Sequence, residues 1–204
     1  MTTYIGKTGR IATVLFKQLE KIKTTTDVRE RRLLFTGPPG VGKSTLAEEL
    51  ASALTGEDLE RIRAYVAVNV ESLNGQSVTV DIVRKWQEAS AYRTIFGEVR
   101  VIIVDEIDAI TAAALNQIRT YLDRLPKGTV FIATTNFKPG ELQPQLQGRF
   151  KLYYFDTVPQ QEIATWLVSK FKLPATLAQQ TAARCEGSPR AAELDALSIN
   201  EVAA

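Results

Sequence analysis

Short apolar runs rich in β-branched and aromatic residues alternate along this chain with segments whose apolar positions recur every three or four residues. That alternation predicts an α/β fold with a parallel sheet and helices on both faces. Five runs predict strands, over residues 33–35, 65–70, 99–104, 130–134 and 152–155. Between them, Leu46, Ala47, Leu50, Ala51 and Leu54 share one face of a predicted helix over 44–54 that stops at Gly56. Two more helices are predicted over 80–91 and 109–125, the second closed by Pro126. Past Phe155 the strand signal ends, and helical patterns broken at Pro174 and at Gly187-Ser188-Pro189 predict a small helical lid. The expected organisation is a core over residues 1–156 and a lid over 157–204.

Composition narrows the chemistry more than the fold. With 45% hydrophobic and 24% charged residues the chain reads as an ordinary soluble globular sequence. A net charge of +2 is too mild to announce a nucleic-acid or membrane partner. Lys7, Arg10, Lys17, Lys21, Lys23, Arg29, Arg31 and Arg32 make the N-terminal stretch basic, which a solvated helix face explains more simply than a nucleic-acid contact. The lone Cys185 excludes an internal disulfide framework, and the absence of histidine removes the commonest general base and zinc ligand. Carboxylates, lysine, arginine and backbone remain. No apolar run reaches the ~18 residues of a membrane span and the start lacks a leader pattern, so a cytoplasmic protein with no membrane contact is expected.

Gly37-Pro38-Pro39-Gly40-Val41-Gly42-Lys43-Ser44 satisfies G-x-x-x-x-G-K-[ST] between a predicted strand and a predicted helix, with Thr45 next on that helix. A chance match in a chain of this length is on the order of one per cent. Glycines let successive amides turn inward on phosphate oxygens, and the helix N-terminus adds partial positive charge. Lys43 would then neutralise β- and γ-phosphates, and the Ser44 hydroxyl would reach Mg²⁺. Downstream, Val101-Ile102-Ile103-Val104 runs into Asp105-Glu106, so two acids emerge at the carboxyl edge of a buried strand, where such sheets bind ligands. Asp105 is the expected holder of the hydrated metal and Glu106 the group that orients and deprotonates water.

With these motifs the chain resembles the AAA+ ATPases, and within them the clamp-loader ATPases of DNA replication, of the replication factor C small-subunit kind. Val104-Asp105-Glu106-Ile107-Asp108 is similar to their acidic box, and Asn136 at the end of "FIATTN" resembles the residue that helps hold the attacking water. "LQGRF" resembles the segment that supplies an arginine to the γ-phosphate of a neighbouring subunit, with Gly148-Arg149-Phe150 where the family has serine-arginine-cysteine. "GSPR" is similar to the lid signature in which Arg190 touches the nucleotide, and Ile5-Gly6 would lie near adenine. Residues 69–86 are also similar to a clamp-loader stretch.

The resemblance implies ATP and Mg²⁺ as cofactors, hydrolysis to ADP and phosphate, and a homo- or hetero-oligomer built through Arg149 in trans. DNA and a sliding clamp are its implied partners; clamp-loader subunits also carry a helical collar domain after the lid, a point at which this sequence departs from their pattern. Two other functions stay open: a nucleotide-switched regulatory or recruitment module with slow turnover, and a helicase-like motor. Trp86 and Trp166 read as core or interface residues, Cys185 as a small buried hydrophobe, and Tyr153, Tyr154 and Phe155 as strand packing.

Overall fold

The computed structural model describes residues 4–89, 99–144, 146 and 148–203. Five strands, β1 (Arg32–Thr36), β2 (Val70–Asn74), β3 (Arg100–Asp105), β4 (Thr129–Thr135) and β5 (Lys151–Tyr154), form one sheet in the order β2-β3-β4-β1-β5. Every neighbouring pair is parallel. The interior strands β3, β4 and β1 are apolar throughout their centres because helices cover both faces.

Strand alternation divides the core in two. Leu33, Phe35, Val101, Ile103, Val130 and Ile132 point to one side, where they meet Ala12 and Leu15 of α1 (Gly6–Lys17) and Leu46, Leu50 and Leu54 of α3 (Lys43–Thr55). Short helices α2 (Leu19–Thr24) and α4 (Leu59–Arg63) add Ile22 and Ile62 there. Leu34, Ile102, Val104, Phe131 and Ala133 point the other way, onto α5 (Val80–Ala89) and α6 (Ala112–Asp123). Trp86 is buried in this second cluster beside Tyr121 and Phe131, as expected of a core residue.

Two predicted boundaries are corrected. The strand expected over 65–70 begins at Val70, and the apolar run before it is a surface turn in which Tyr65 is 74% exposed. Tyr65 and Val66 donate their amides to Ile62 O and Arg61 O, closing the end of α4 with Tyr65 in the left-handed region. The helix expected over 109–125 divides into a 3-10 turn, Ile107–Ala109, and α6, because the Thr111 hydroxyl accepts from Ala114 N and starts a new helix there. Of the helix expected over 80–91, the last two residues lie outside the described part.

The C-terminal helices α7 (Gln160–Phe171), α8 (Ala175–Arg184) and α9 (Pro189–Ala203) enclose an apolar core of their own, with Ile163, Leu167, Ala178, Ala192 and Ala196 at its centre. Cys185 is buried in it as a free thiol. Among the described residues no helix is long and apolar enough to cross a membrane.

Candidate functional site

Parallel pairing brings the carboxyl ends of four strands to one edge, and the register decides which side chains meet there. Asn74 of β2 lies opposite Asp105 of β3, and Thr36 of β1 lies opposite Thr135 of β4. β1 continues into the loop 37–42, which ends at Gly42 with φ 94°, and Lys43 opens α3. A cleft at this edge is bounded by the loop, the strand ends, the N-terminal segment and the lid.

The Lys43 ammonium lies buried in the floor of the cleft. It donates to Gly37 O at 2.8 Å, Pro38 O at 2.7 Å and Asn136 Oδ1 at 2.9 Å. Burial pulls it down to about 8, with Asp105 opposing that shift and Arg190 adding to it. Ser44 Oγ donates to Asp105 Oδ1 at 2.8 Å, so a hydroxyl and a carboxylate stand side by side beneath the loop. The Thr134 hydroxyl donates to the same carboxylate and accepts from Glu106 N at 3.1 Å, one side chain fixing both acids. Thr135 in turn donates to Asp108.

Glu106 has φ 55° and ψ 55°, a left-handed geometry unusual for a non-glycine residue, which turns its carboxyl away from the strand direction. Asn74 Nδ2 donates to Glu106 Oε2 at 3.0 Å while Asn74 Oδ1 accepts from Gln76 N at 3.0 Å, which sets the amide's orientation.

Most of the residues singled out in the sequence converge. Pro39, Gly40, Val41, Gly42, Lys43, Ser44, Thr45, Asp105, Glu106, Asn136, Arg190 and Ile5 line the cleft, while Gly37 and Pro38 act through the carbonyls that hold Lys43. Arg190 N donates to Gly40 O at 3.2 Å, so the lid touches the loop directly. Gly6 does not line the cleft; its amide is taken by Glu162 Oε2 at 2.8 Å. Arg149 does not line it either, and forms an ion pair with Asp123 at 3.0 Å.

Sequence reasoning did not find Asn74, Thr134, Tyr4, Thr8, Lys170 or Glu193. Thr8 fastens α1 to the loop by donating to Val41 O at 2.8 Å. Trp166, read as a core or interface residue, is 7% exposed and also lines the cleft beside Lys170, whose ammonium lies 4.9 Å from its ring centroid. A polar "TTN" at the end of a strand beside the acidic one was the available signal for Thr134. Among the described residues, no cluster of three His, Cys, Asp or Glu could hold a metal by itself.

A family model for the "ATPase family associated with various cellular activities (AAA)" matches residues 33–157. The replication factor C small subunit of Methanosarcina acetivorans is 32% identical over 140 residues, covering 67% of this chain and 40% of that protein. Replication factor C subunit 3 of Saccharomyces cerevisiae is 33% identical over 133 residues, covering 64% and 37%. This chain thus spans about two fifths of the length of the curated relatives it matches. Among solved structures, the RuvB Holliday junction branch migration motor of Thermotoga maritima shares the fold with a TM-score of 0.72 at 23% identity, covering 97% of this chain and 62% of that one.

Proposed function

The chain belongs to the AAA family of ATPases, and we propose that it hydrolyses MgATP to ADP and phosphate as one subunit of a clamp-loader-like oligomer acting on DNA. Residues 1–156 form the ATPase core in this reading, and 157–204 the lid. The observation that carries it is the convergence in one cleft of two hydrogen-bonded pairs, Lys43 with Asn136 and Ser44 with Asp105, at the mouth of the phosphate loop. The Lys43 ammonium exchanges one of its carbonyl or amide partners for β- and γ-phosphate oxygens. Ser44 Oγ and Asp105 fit Mg²⁺, which needs only one or two protein oxygens beside phosphates and water. Bound there, the ion neutralises charge on the phosphates.

Glu106 takes a proton from the water that attacks the γ-phosphorus as the bond to ADP breaks, and Asn136 helps to orient that water. Arg190 contacts the phosphates from the lid, and Ile5 packs near the base. Arg149 lies outside its own cleft and serves the γ-phosphate of a neighbouring subunit, a contribution worth ~10³ to 10⁵ in rate. The resemblance to replication factor C subunits supports DNA and a sliding clamp as partners, and a cytoplasmic protein with access to ATP.

Turnover per subunit measured against protein concentration, with and without duplex DNA, tests this reading. It is expected to rise with concentration and again with DNA. Glu106→Gln should keep MgATP affinity and lower turnover by ~10² or more. A near-zero rate independent of concentration, with ATP firmly bound, would favour the nucleotide-switched module, and absence of any MgATP affinity would remove the whole reading.

The depressed Lys43 ammonium adds a pH dependence. Phosphate favours the charged form, so above about pH 8, where the free lysine has lost its proton, binding must take one up. Affinity for MgATP is expected to weaken as pH rises past about 8, by at most about tenfold per unit from this one group. Calorimetry in two buffers of different ionisation enthalpy should detect that proton above pH 8 and lose it below.

A further inference from the structure

Outside the cleft, charged side chains gather at the far end of α6. There Asp123 holds the Arg149 guanidinium with both carboxylate oxygens: Nε donates to Oδ1 at 3.0 Å and Nη2 to Oδ2 at 3.3 Å. Behind the pair, Arg32 Nη1 lies 3.8 Å from the same Oδ1. Arg32 is buried, donates to Leu122 O at 3.1 Å, and is the first residue of β1, whose other end becomes the phosphate loop. The backbone around Arg149 is anchored as well. Leu146 and Phe150 are buried in the second core cluster, with the Phe150 ring 6.1 Å from Phe131, and Arg149 N donates to Leu146 O at 3.3 Å.

We propose that Asp123 is the positioning residue for the arginine that this chain presents to its neighbour. The inference rests on the reading of Arg149 as acting in trans. Asp123 is 48% and Arg149 26% exposed, and pairs of that exposure add little to stability. What the fork does is direct a side chain rich in rotamers, so that its ordering is completed on folding and not on assembly. Two-point pairing suits this because a planar guanidinium held at Nε and Nη2 cannot swing about a single contact. The fork does not cancel the charge needed at a phosphate. Two arginines share one carboxylate, so Arg32, Asp123 and Arg149 together keep one net positive charge.

A mixing experiment separates positioning from fold. Arg149→Ala chains keep an intact cleft and have no arginine to present. Glu106→Gln chains present Arg149 and turn over at least ~10²-fold more slowly than the parent, a background measured on the donor alone. Adding the second to the first should restore turnover, and a Glu106→Gln, Asp123→Asn donor should restore it with kcat lower by ~10 to 10² and KM for ATP unchanged. A Glu106→Gln, Asp123→Glu donor, which keeps the charge beside Arg32 and moves the fork by one methylene, should give an intermediate kcat.

Melting temperature and the mass of the mixed oligomer are read for each donor. If the asparagine donor fails to fold or assemble, the glutamate donor decides, and undiminished kcat with it overturns the proposal. Full restoration by the asparagine donor overturns it too, leaving Arg149 in trans intact. No restoration by the Glu106→Gln donor would remove the trans reading and this proposal with it.

Discussion

Alanine at position 37 is expected to remove a large part of the protein's stability. Gly37 has φ 140°, and a Cβ there would sit 2.1 Å from Phe155 O and 2.9 Å from its carbonyl carbon. That neighbour is backbone and cannot rotate aside. Phe155 N donates to Thr36 O at 2.7 Å, extending the β1–β5 ladder, and the fully buried Phe155 ring lies 5.2 Å from that of Phe35. Moving the carbonyl displaces Phe155, whose amide makes that ladder bond and whose ring fills the core, at a cost of ~4 kcal/mol or more against a typical total of ~5 to 15. The Gly37 carbonyl that steadies Lys43 would shift as well, so any folded fraction should bind MgATP poorly. Gly56→Ala is the control: φ is 75° but nothing lies within 4 Å of the added carbon. Its cost of ~1 kcal/mol should lower the melting temperature by only ~2 to 4 °C. Thermal unfolding of the two variants beside the parent protein checks the contrast.

The elements legible in the sequence are those whose burial is set locally. β3 and β4 are covered on both faces, so an unbroken apolar run announces them. β2 is an edge strand, and its Val-Glu-Ser-Leu-Asn is half polar, while the more strand-like Tyr-Val-Ala-Val ahead of it forms an exposed turn. Local β-propensity misled there because an edge strand needs one buried face only. In the site, the phosphate loop and Asp105 could be read because their signals are contiguous in sequence.

Asn74 and Thr134 could not be read in that way. They act on the acids only through a register in which β2, β3 and β4 align at their carboxyl ends, which no local pattern encodes. Trp166, Lys170 and Glu193 depend on how the lid lies over the core, and helical periodicity carries no information about that. The Asp123–Arg149 pair spans 26 residues and joins two elements that meet only once the second core cluster is packed.

Gly75→Ala should separate turnover from binding. Gly75 follows β2 directly, and a Cβ there would lie 2.2 Å from Glu106 O and 3.3 Å from Ile110 Cγ1. Glu106 occupies its left-handed conformation because several contacts hold it: its amide on Thr134, its carbonyl accepting from Ala109 N at 2.9 Å, and its carboxylate on Asn74. The new methyl would push the carbonyl out of that arrangement. Asn74, immediately before the substituted residue, would move with it. The carboxylate is thereby displaced by an ångström or so, enough in a proton-transferring group to cost ~10² in kcat. Lys43, the loop and Asp105 belong to α3, the β1–α3 connection and β3, whereas the three atoms nearest the added carbon belong to Glu106 and Ile110. MgATP affinity should therefore stay within about threefold of the parent, a shift of ~0.7 kcal/mol at most. Single-turnover hydrolysis beside equilibrium binding on the same preparation measures both. Loss of affinity in step with kcat would mean that the β2 end supports the phosphate loop as well as Glu106.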